Sequence, residues 1–116
     1  MKEINAKMIG LEAVTGLPVE EGDYGGDAKE YIVYDYADQR GGLFGDDRAV
    51  TIESEMQIRV VLKKQTEYDG TKDNIWEYLE DQDFDDISFE SYCQRETDGM
   101  YRYLIFDCSY TEQRGE

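Results

Sequence analysis

Residues 54–64 read SEMQIRVVLKK, and from Met56 to Leu62 every second residue is large and apolar. Such alternation puts the apolar side chains on one face of an extended strand and the polar side chains on the other. The apolar face needs a covering layer, which the neighbouring segments must supply. We therefore interpret residues 54–64 as a central strand of a sheet.

Two amphipathic segments on either side of this strand predict helices. Residues 3–14 and residues 71–82 each repeat apolar residues at spacings of three and four. Gly16 favours a left-handed conformation after the first helix, and Pro18 prevents the helix from resuming. Trp76 is expected to be the largest contributor to the core on its side. The apolar members are Ile4, Met8, Ile9 and Leu11 in the first segment and Ile75, Trp76, Tyr78 and Leu79 in the second.

Three further segments complete the prediction. Residues 31–38 are β-branched and aromatic and indicate a strand with two partly apolar faces, whereas the Gly- and Asp-rich residues 39–51 indicate a long loop. Asp98-Gly99 predicts a two-residue turn between two final strands. In that register Cys93 lies opposite Leu104 and Tyr92 opposite Ile105, and the apolar residues of both strands share one face.

These elements together predict the fold class. A chain of 116 residues fits one domain at about 150 residues per domain, and we expect that domain to span residues 1–116. It is predicted to be an α+β protein with a four-stranded, mainly antiparallel sheet. Two helices cover one face of that sheet, in the order α-β-β-α-β-β.

Charge and composition exclude several functions. Lys and Arg number 12 against 28 Asp and Glu, which gives a formal net charge of −16. Affinity for nucleic acids and anionic membranes comes mainly from Lys and Arg, so we expect neither as a binding partner. The chain has no His, the usual general base near neutral pH. We therefore expect no catalytic residues, no cofactor and no enzymatic activity.

One acidic series has the beginning of a calcium-binding pattern. Asp81, Asp83 and Asp85 have the first three ligand spacings of a calcium loop. The sixth position is Asp86 where the loop needs Gly, and the twelfth is Tyr92 where it needs Glu. We interpret the series as solvated charge at a helix end and predict no metal site.

The two cysteines and the absence of targeting signals indicate a cytoplasmic protein. In the predicted register Cys93 and Cys108 share a face without being opposite each other, which favours reduced thiols over a disulfide. The apolar runs are far shorter than the about 20 residues of a membrane span, and residues 1–17 do not read as a signal peptide.

Two sets of residues are candidates for a protein interface. If both helices cover one face of the sheet, the opposite face presents a row of large residues outward, which is typical of protein contacts. The alternative is that these residues are simply good strand formers. The loop tip at Leu43 and Phe44 either inserts into a neighbouring subunit or folds back onto its own core. The row consists of Tyr92, Tyr101, Tyr103 and Ile105.

The sequence patterns of this chain, and the order in which they follow one another, resemble those of the tail terminator (tail completion) proteins of long-tailed bacteriophages and related prophages. The resemblance spans nearly the whole chain and involves no catalytic signature. It is carried by Gly16-Leu17-Pro18-Val19, Tyr31-Ile32-Val33-Tyr34, the alternation from Met56 to Leu62, and Glu96-Thr97 before Leu104-Ile105-Phe106.

The resemblance implies a virion assembly protein, present in the host cytoplasm before it joins the tail. Members of the family form an oligomeric ring, commonly a hexamer, that caps the tail tube and docks with the head connector. DNA passes through the ring without specific binding, and an acidic lumen suits that passage because carboxylates repel phosphates. The competing interpretation is an acidic DNA mimic that inhibits a host DNA-binding enzyme.

Overall fold

The computed structural model describes residues 2–45 and 48–113, and of residues 2, 42–45 and 48–50 it describes the backbone alone. These described residues form an α+β domain with three helices and five strands. In chain order they are α1 (Lys2–Ile9), α2 (Leu11–Thr15), β1 (Val19–Glu21), β2 (Tyr31–Gly45), β3 (Arg48–Lys63), α3 (Asp69–Asp81), β4 (Asp85–Glu96) and β5 (Gly99–Gln113).

The sheet has the strand order β1-β2-β3-β5-β4, with β1 parallel to β2 and every other pair antiparallel. The prediction of four strands is therefore wrong by one strand, and the predicted order of elements lacks that strand. The missed strand, β1, contains three residues, of which only Val19 is apolar. A strand this short has no period that a pattern could reveal, and it forms because Val19 pairs with Ile32.

The hydrophobic core lies between the helices and one face of the sheet. Ile58 and Val60 are fully buried, which confirms the alternation as a central strand. Trp76 is partly buried, packs against this core and meets the ring of Phe106 edge-on at 6.5 Å between centroids. That it is the largest contributor to the core on its side stays a prediction. The buried core residues are Ile4, Met8, Leu11, Ile32, Tyr34, Met56, Ile58, Val60, Leu62, Ile75, Leu79, Phe84, Leu104, Phe106, Cys108 and Tyr110.

The first predicted helix is divided at Gly10 into α1 and α2. Ile4, Met8 and Leu11 are fully buried as predicted, whereas Ile9 is 57% exposed. Gly16 ends α2 with φ of 75° and donates its N–H to the carbonyl of Glu12. The left-handed conformation predicted for this glycine is confirmed.

Hydrogen bonds tie the first helix to α3 and to the sheet. The Tyr78 hydroxyl donates to the Lys7 carbonyl at 2.6 Å, and Lys7 Nζ donates to the Gln82 carbonyl at 3.1 Å. The hydroxyls of Tyr34 and Tyr36 both donate to Asn5 Oδ1, at 3.3 and 2.6 Å. Burial is the main cause that raises the pKa of Tyr36 to about 12.

The hairpin of β4 and β5 turns one residue earlier than predicted. Thr97 and Asp98 form the turn, and Gly99 begins β5 with φ of 140°, a conformation that favours glycine. Pairing therefore shifts by two residues, and Tyr92 lies opposite Tyr103 rather than Ile105. From Ser88 to Glu96 a shift of two keeps each side chain on its predicted face, since side chains alternate with a period of two.

The predicted loop over residues 39–51 is wrong for residues 39–45 and 48–51, and residues 46–47 lie outside the described part of the chain. β2 and β3 continue past the core as a long hairpin in which Gly45 pairs with Arg48. We call residues 38–45 and 48–55 the arm. The core members of β2 and β3 end at Tyr36 and Met56, whereas Ser54 of the arm is still buried opposite the core residue Tyr110. The described part of the arm extends beyond the core past Ser54. With the arm, the molecule measures 55 × 26 × 23 Å.

Charge pairing explains how so polar a segment holds an extended structure. The Arg40 guanidinium lies 3.3 Å from Asp38 Oδ2, 3.4 Å from Glu53 Oε1 and 3.0 Å from Glu55 Oε1. It thus cross-links the two strands of the arm, and β5 runs beside β3 as far as the pair Thr51 and Gln113. The glycine and aspartate content of this segment predicts a loop, but cross-strand partners stabilise a strand here despite its weak intrinsic β-propensity.

We expect Gly10→Ala to lower the free energy of unfolding by at least about 1 kcal/mol, because overpacking a close contact typically costs about 1–3 kcal/mol. A β-carbon at Gly10 would overlap the hydroxyl of Tyr78. Urea unfolding followed by circular dichroism measures the change. Gly25→Ala is the matched control, since open space surrounds that glycine. Equal stability of the two variants would contradict the packing of α3 against Gly10.

We also expect stability to fall as the pH rises from about 10 to about 12, because the folded chain holds Tyr36 protonated while the unfolded chain releases the proton. Tyr36→Phe should reduce this alkaline loss and cost about 0.5–1.5 kcal/mol at pH 7 through the lost hydrogen bond. Unfolding in urea at pH 7 and pH 11 tests both effects. The control is the exposed Tyr92→Phe, and an unchanged alkaline slope in Tyr36→Phe would refute the assignment.

Candidate functional site

The sheet face opposite the core carries a row of aromatic residues, and we call it the helix-free face. Tyr31, Val61, Tyr103 and Tyr92 lie in register across β2, β3, β5 and β4. Each end of this row is a stacked pair of rings. Tyr24 stacks on Tyr31 with centroids 4.3 Å apart, and Tyr92 stacks on Tyr103 with centroids 5.1 Å apart.

Between these stacked pairs lies a groove with a volume of about 470 Å³. Val61 forms part of its lining between Tyr31 and Tyr103, since it is their in-register neighbour on the central strand. The connection from β1 to β2 and the turn from β4 to β5 close the groove at its rim. We call this site the aromatic groove, and it is lined by Ala28, Lys29, Tyr31, Val61, Glu96, Thr97, Asp98, Tyr101 and Tyr103.

A three-residue hydrogen-bonded cluster joins the two sides of the rim. Lys29 Nζ lies 3.1 Å from Asp98 Oδ2, and the Tyr101 hydroxyl donates to the same oxygen at 2.9 Å. The hydrogen bond from Lys29, followed by that from Tyr101, lowers the pKa of Asp98, and the bond to Asp98 raises the pKa of Lys29. Asp98 therefore stays charged and holds the turn against the connection that carries Lys29.

The Tyr103 hydroxyl donates to Glu96 Oε2 at 2.6 Å. Burial and then this hydrogen bond raise the pKa of Tyr103 above its ordinary value. The phenol thus remains protonated near neutral pH, and its ring is fixed on one side by the bond to Glu96 and on the other by stacking on Tyr92. Such a wall is preorganised, because its side chains lose little freedom when a partner binds.

The predicted row lies on the helix-free face, but its expected exposure is largely wrong. Tyr92 is 44% exposed, whereas Tyr101 and Ile105 are 7% and 9% exposed, and Tyr103 is half-buried. The contact between Lys29 and Asp98 holds the connection from β1 to β2 over this face, which explains why Tyr101 is buried. Whether these residues form a subunit interface stays a prediction.

The groove also includes residues that the sequence analysis did not single out. Tyr31 and Val61 were predicted as strand residues. Each is a large apolar or aromatic residue on the strand face opposite the core, and that position was the signal that the sequence offered. Lys29 and Asp98 lie far apart in sequence and carry no common motif, so only the folded chain brings them together.

The second candidate set, Leu43 and Phe44, lies on the arm. Both residues belong to β2, and Phe44 pairs with Ala49 near the tip. The tip is therefore part of a strand and not of the predicted loop. Their side chains are outside the described part of the structure, so neither alternative for them is decided.

Towards the arm the helix-free face becomes acidic. Asp35, Gln57 and Asp107 lie in register one rung beyond Ile105, and Glu55 follows on β3. A shallow depression of about 260 Å³ lies here, lined in part by Glu55 and Asp107. Within residues 2–45 and 48–113, no three acidic or thiol groups come together as a metal site would require. The face is thus divided into an aromatic half and an acidic half.

The two cysteines occupy different environments. Cys93 is exposed on the edge strand β4, whereas Cys108 is buried in the core, and neither forms a disulfide. The predicted separation of the thiols is confirmed, although Cys93 lies opposite Arg102 rather than Leu104. Burial raises the pKa of the Cys108 thiol to about 12, so it stays protonated and unreactive near neutral pH.

No protein-family model matches the chain, and no curated protein matches it. No helix in the part of the chain that the structure describes has the length and apolar character of a membrane-spanning segment.

We expect the thiol reagent DTNB to modify one cysteine rapidly in the folded protein and the second only after unfolding. The rapid thiol is Cys93, so Cys93→Ser should abolish the fast phase and leave the slow one. Absorbance at 412 nm counts the released chromophore, with Cys108→Ser as the reciprocal control. Rapid reaction of both thiols would contradict the burial of β5 beneath the helices.

Proposed function

We propose that this protein is a ring-forming assembly protein of the phage tail, a tail terminator that caps the tail tube and joins it to the head. The observation that carries the proposal is the arm, a hairpin that extends beyond the core that stabilises the rest of the sheet. The resemblance of the sequence to tail terminators supports the same conclusion.

The arm has few stabilising contacts in a single copy of the protein. Among the described residues, the last pair between β3 and β5 joins Thr51 and Gln113, and from residue 42 onward the arm shows the pairing of β2 with β3 alone. An isolated two-stranded hairpin is marginally stable in water, and edge strands offer unpaired backbone groups to a neighbour. Both properties suit a segment that is completed by another subunit.

The acidic half of the helix-free face suits the passage of DNA. Asp35 is exposed there, and the protomer carries a net charge of −16. A ring opening lined by such carboxylates repels the phosphate backbone, so DNA can move through it without being held. The same charge makes protomers repel each other, and screening by salt, a divalent cation or the end of a tail tube would favour assembly.

The alternative function, a DNA mimic, needs a dense and continuous row of free carboxylates. On the arm, Arg40 interrupts such a row because it pairs with Asp38, Glu53 and Glu55. The aromatic groove has no use in a mimic, whereas apolar and aromatic surface is what self-association requires. Arm and groove therefore both favour assembly.

The decisive experiment is the absolute mass by light scattering on a sizing column, over a range of protein concentrations. We expect a monomer at low salt and a discrete larger species at high salt or with magnesium, near 81 kDa if six copies of 13.5 kDa assemble. Leu43→Asp should keep the circular dichroism of the parent and lose the larger species. The matched control is Glu80→Asp, on the exposed side of α3.

A monomer in every condition, and also in the presence of purified tail tubes, would contradict the proposal. Tight binding to a basic DNA-binding enzyme at low salt, lost at high salt, would favour the mimic instead.

A further inference from the structure

We propose that the aromatic groove binds an arginine side chain carried by an extended basic segment of a partner protein. The inference goes beyond the proposed function, because it names the chemistry of a partner and does not depend on ring formation. It commits the groove to one occupant, a guanidinium held between aromatic rings and beside carboxylates.

Two tyrosine rings form the walls of the groove, and their spacing suits a cation. Tyr31 and Tyr103 lie in register on β2 and β5, with Val61 of β3 between them. Two strand spacings of about 4.8 Å place these side chains about 10 Å apart. A cation midway between the rings would lie about 5 Å from each, within the limit of about 6 Å for cation–π attraction. On the core side, Arg102 Cζ already lies 4.4 Å from the ring centroid of Tyr68.

Each wall ring is stacked on one side and open on the other. Tyr24 stacks on Tyr31 and Tyr92 stacks on Tyr103, and both stacking partners lie outside the lining of the groove. The other face of each wall ring is therefore turned to the groove. The flat guanidinium of arginine stacks on such faces, whereas the ammonium of lysine is a compact and strongly hydrated charge. The groove therefore favours arginine over lysine.

The charged groups of the lining also favour a cation. They are two carboxylates, Glu96 and Asp98, and one ammonium, Lys29, which together leave a net charge of −1. The rim already holds a cation, because Asp98 Oδ2 lies 3.1 Å from Lys29 Nζ. The Tyr103 hydroxyl donates to one oxygen of Glu96, and a carboxylate accepts about four hydrogen bonds in all. Glu96 can therefore also accept from a guanidinium in the groove.

The acidic half of the helix-free face continues the site along the sheet. Asp35 lies four residues beyond Tyr31 on β2, and Asp107 lies four residues beyond Tyr103 on β5, each on the face of its tyrosine. Four residues of strand span about 13 Å. Midway between these positions, Arg59 occupies the central strand. An extended segment would thus place the residue four positions from its arginine near carboxylates, and the residue two positions away near a cation.

The charge of the whole chain favours a basic partner over a second copy as the occupant. Two copies with a net charge of −16 each repel one another, whereas a basic segment is attracted before contact is made. The groove walls are fixed by the two stacked pairs and by the hydrogen bond from Tyr103 to Glu96. Little ordering cost therefore remains on the groove side when the arginine enters.

Fluorescence anisotropy of a labelled peptide tests the proposal at low salt, where we expect the protein to be a monomer. The peptide has one arginine, one lysine four positions later, and Gly and Ser elsewhere. We expect saturable binding. It should weaken at least about ten-fold when citrulline, a neutral analogue of the same shape, replaces the arginine, because cation–π contacts and a charged hydrogen bond are lost together.

Two groove variants and one control locate the binding site. Glu96→Gln removes a carboxylate, and Tyr31→Leu removes one wall. Each should weaken the arginine peptide about three-fold or more, the effect of losing one charged or cation–π contact, with little effect on the citrulline peptide. The matched control is Glu80→Gln, which changes the net charge as Glu96→Gln does but lies on the exposed side of α3. It should bind like the parent, and circular dichroism checks that each variant is folded.

A second peptide with the lysine two positions after the arginine should bind more weakly, because that lysine would face Arg59. Equal affinity for the two spacings would overturn the extended segment and leave a site for an isolated cation only. Equal losses in Glu96→Gln and Glu80→Gln would indicate attraction by net charge alone and overturn the groove as the site. Failure of the arginine peptide to bind would overturn the proposal outright.

The outcomes separate this inference from the proposed function. A discrete larger species whose groove does not distinguish arginine from citrulline would overturn this inference and leave the ring proposal standing. Arginine-dependent binding by a chain that stays a monomer in every condition, tail tubes included, would support the groove and overturn the ring.

Discussion

Where they flank the aromatic groove, the central strands of the sheet bury apolar residues on both faces, and this constraint shapes the rest of the molecule. On β3, Val60 is fully buried on the core side and Val61 is 3% exposed on the other side. On β2, Ile32 and Val33 repeat this pattern with 0% and 2% exposure. A sheet of this kind must be covered twice. The helices cover one face, and the segment carrying Lys29 closes over part of the other.

The helices cover one face of the sheet, whereas the chain covers the helix-free face only in part. This difference explains why one half of the helix-free face is a candidate site. The helix side is a packed core in which Phe106 and Leu104 are fully buried. On the opposite side, the connection between β1 and β2 reaches over the sheet at the rim of the aromatic groove, where Asp98 binds Lys29 and Tyr101. The covering is incomplete there, and the resulting concave aromatic surface is the type that binds a partner.

The elements with a strong period were predictable from sequence, whereas those that depend on distant partners were not. Met56 to Leu62 and the buried stripe Ile4, Met8 and Leu11 follow from hydrophobic period alone, and the structure confirms both. The arm was misread because its strand is stabilised by Arg40 and its cross-strand carboxylates rather than by a pattern of apolar residues. The sequence predicts the sheet face on which the groove residues lie, because a shift of two in register leaves that face unchanged. It does not predict how deeply they are buried, because their burial depends on the contact of Lys29 with Asp98, which is 69 positions away.

The continuity of β2 and β3 from core to arm has a mechanical consequence. Both strands run from the core to the tip as one ladder, through a bulge between Tyr36 and Asp38. Ladder hydrogen bonds in an antiparallel pair lie perpendicular to the strands. A pull on the tip therefore loads many of these bonds in shear at the same time and transmits the force directly to the central strand. A subunit held by its arm would resist tension along the sheet far better than one held by a flexible loop.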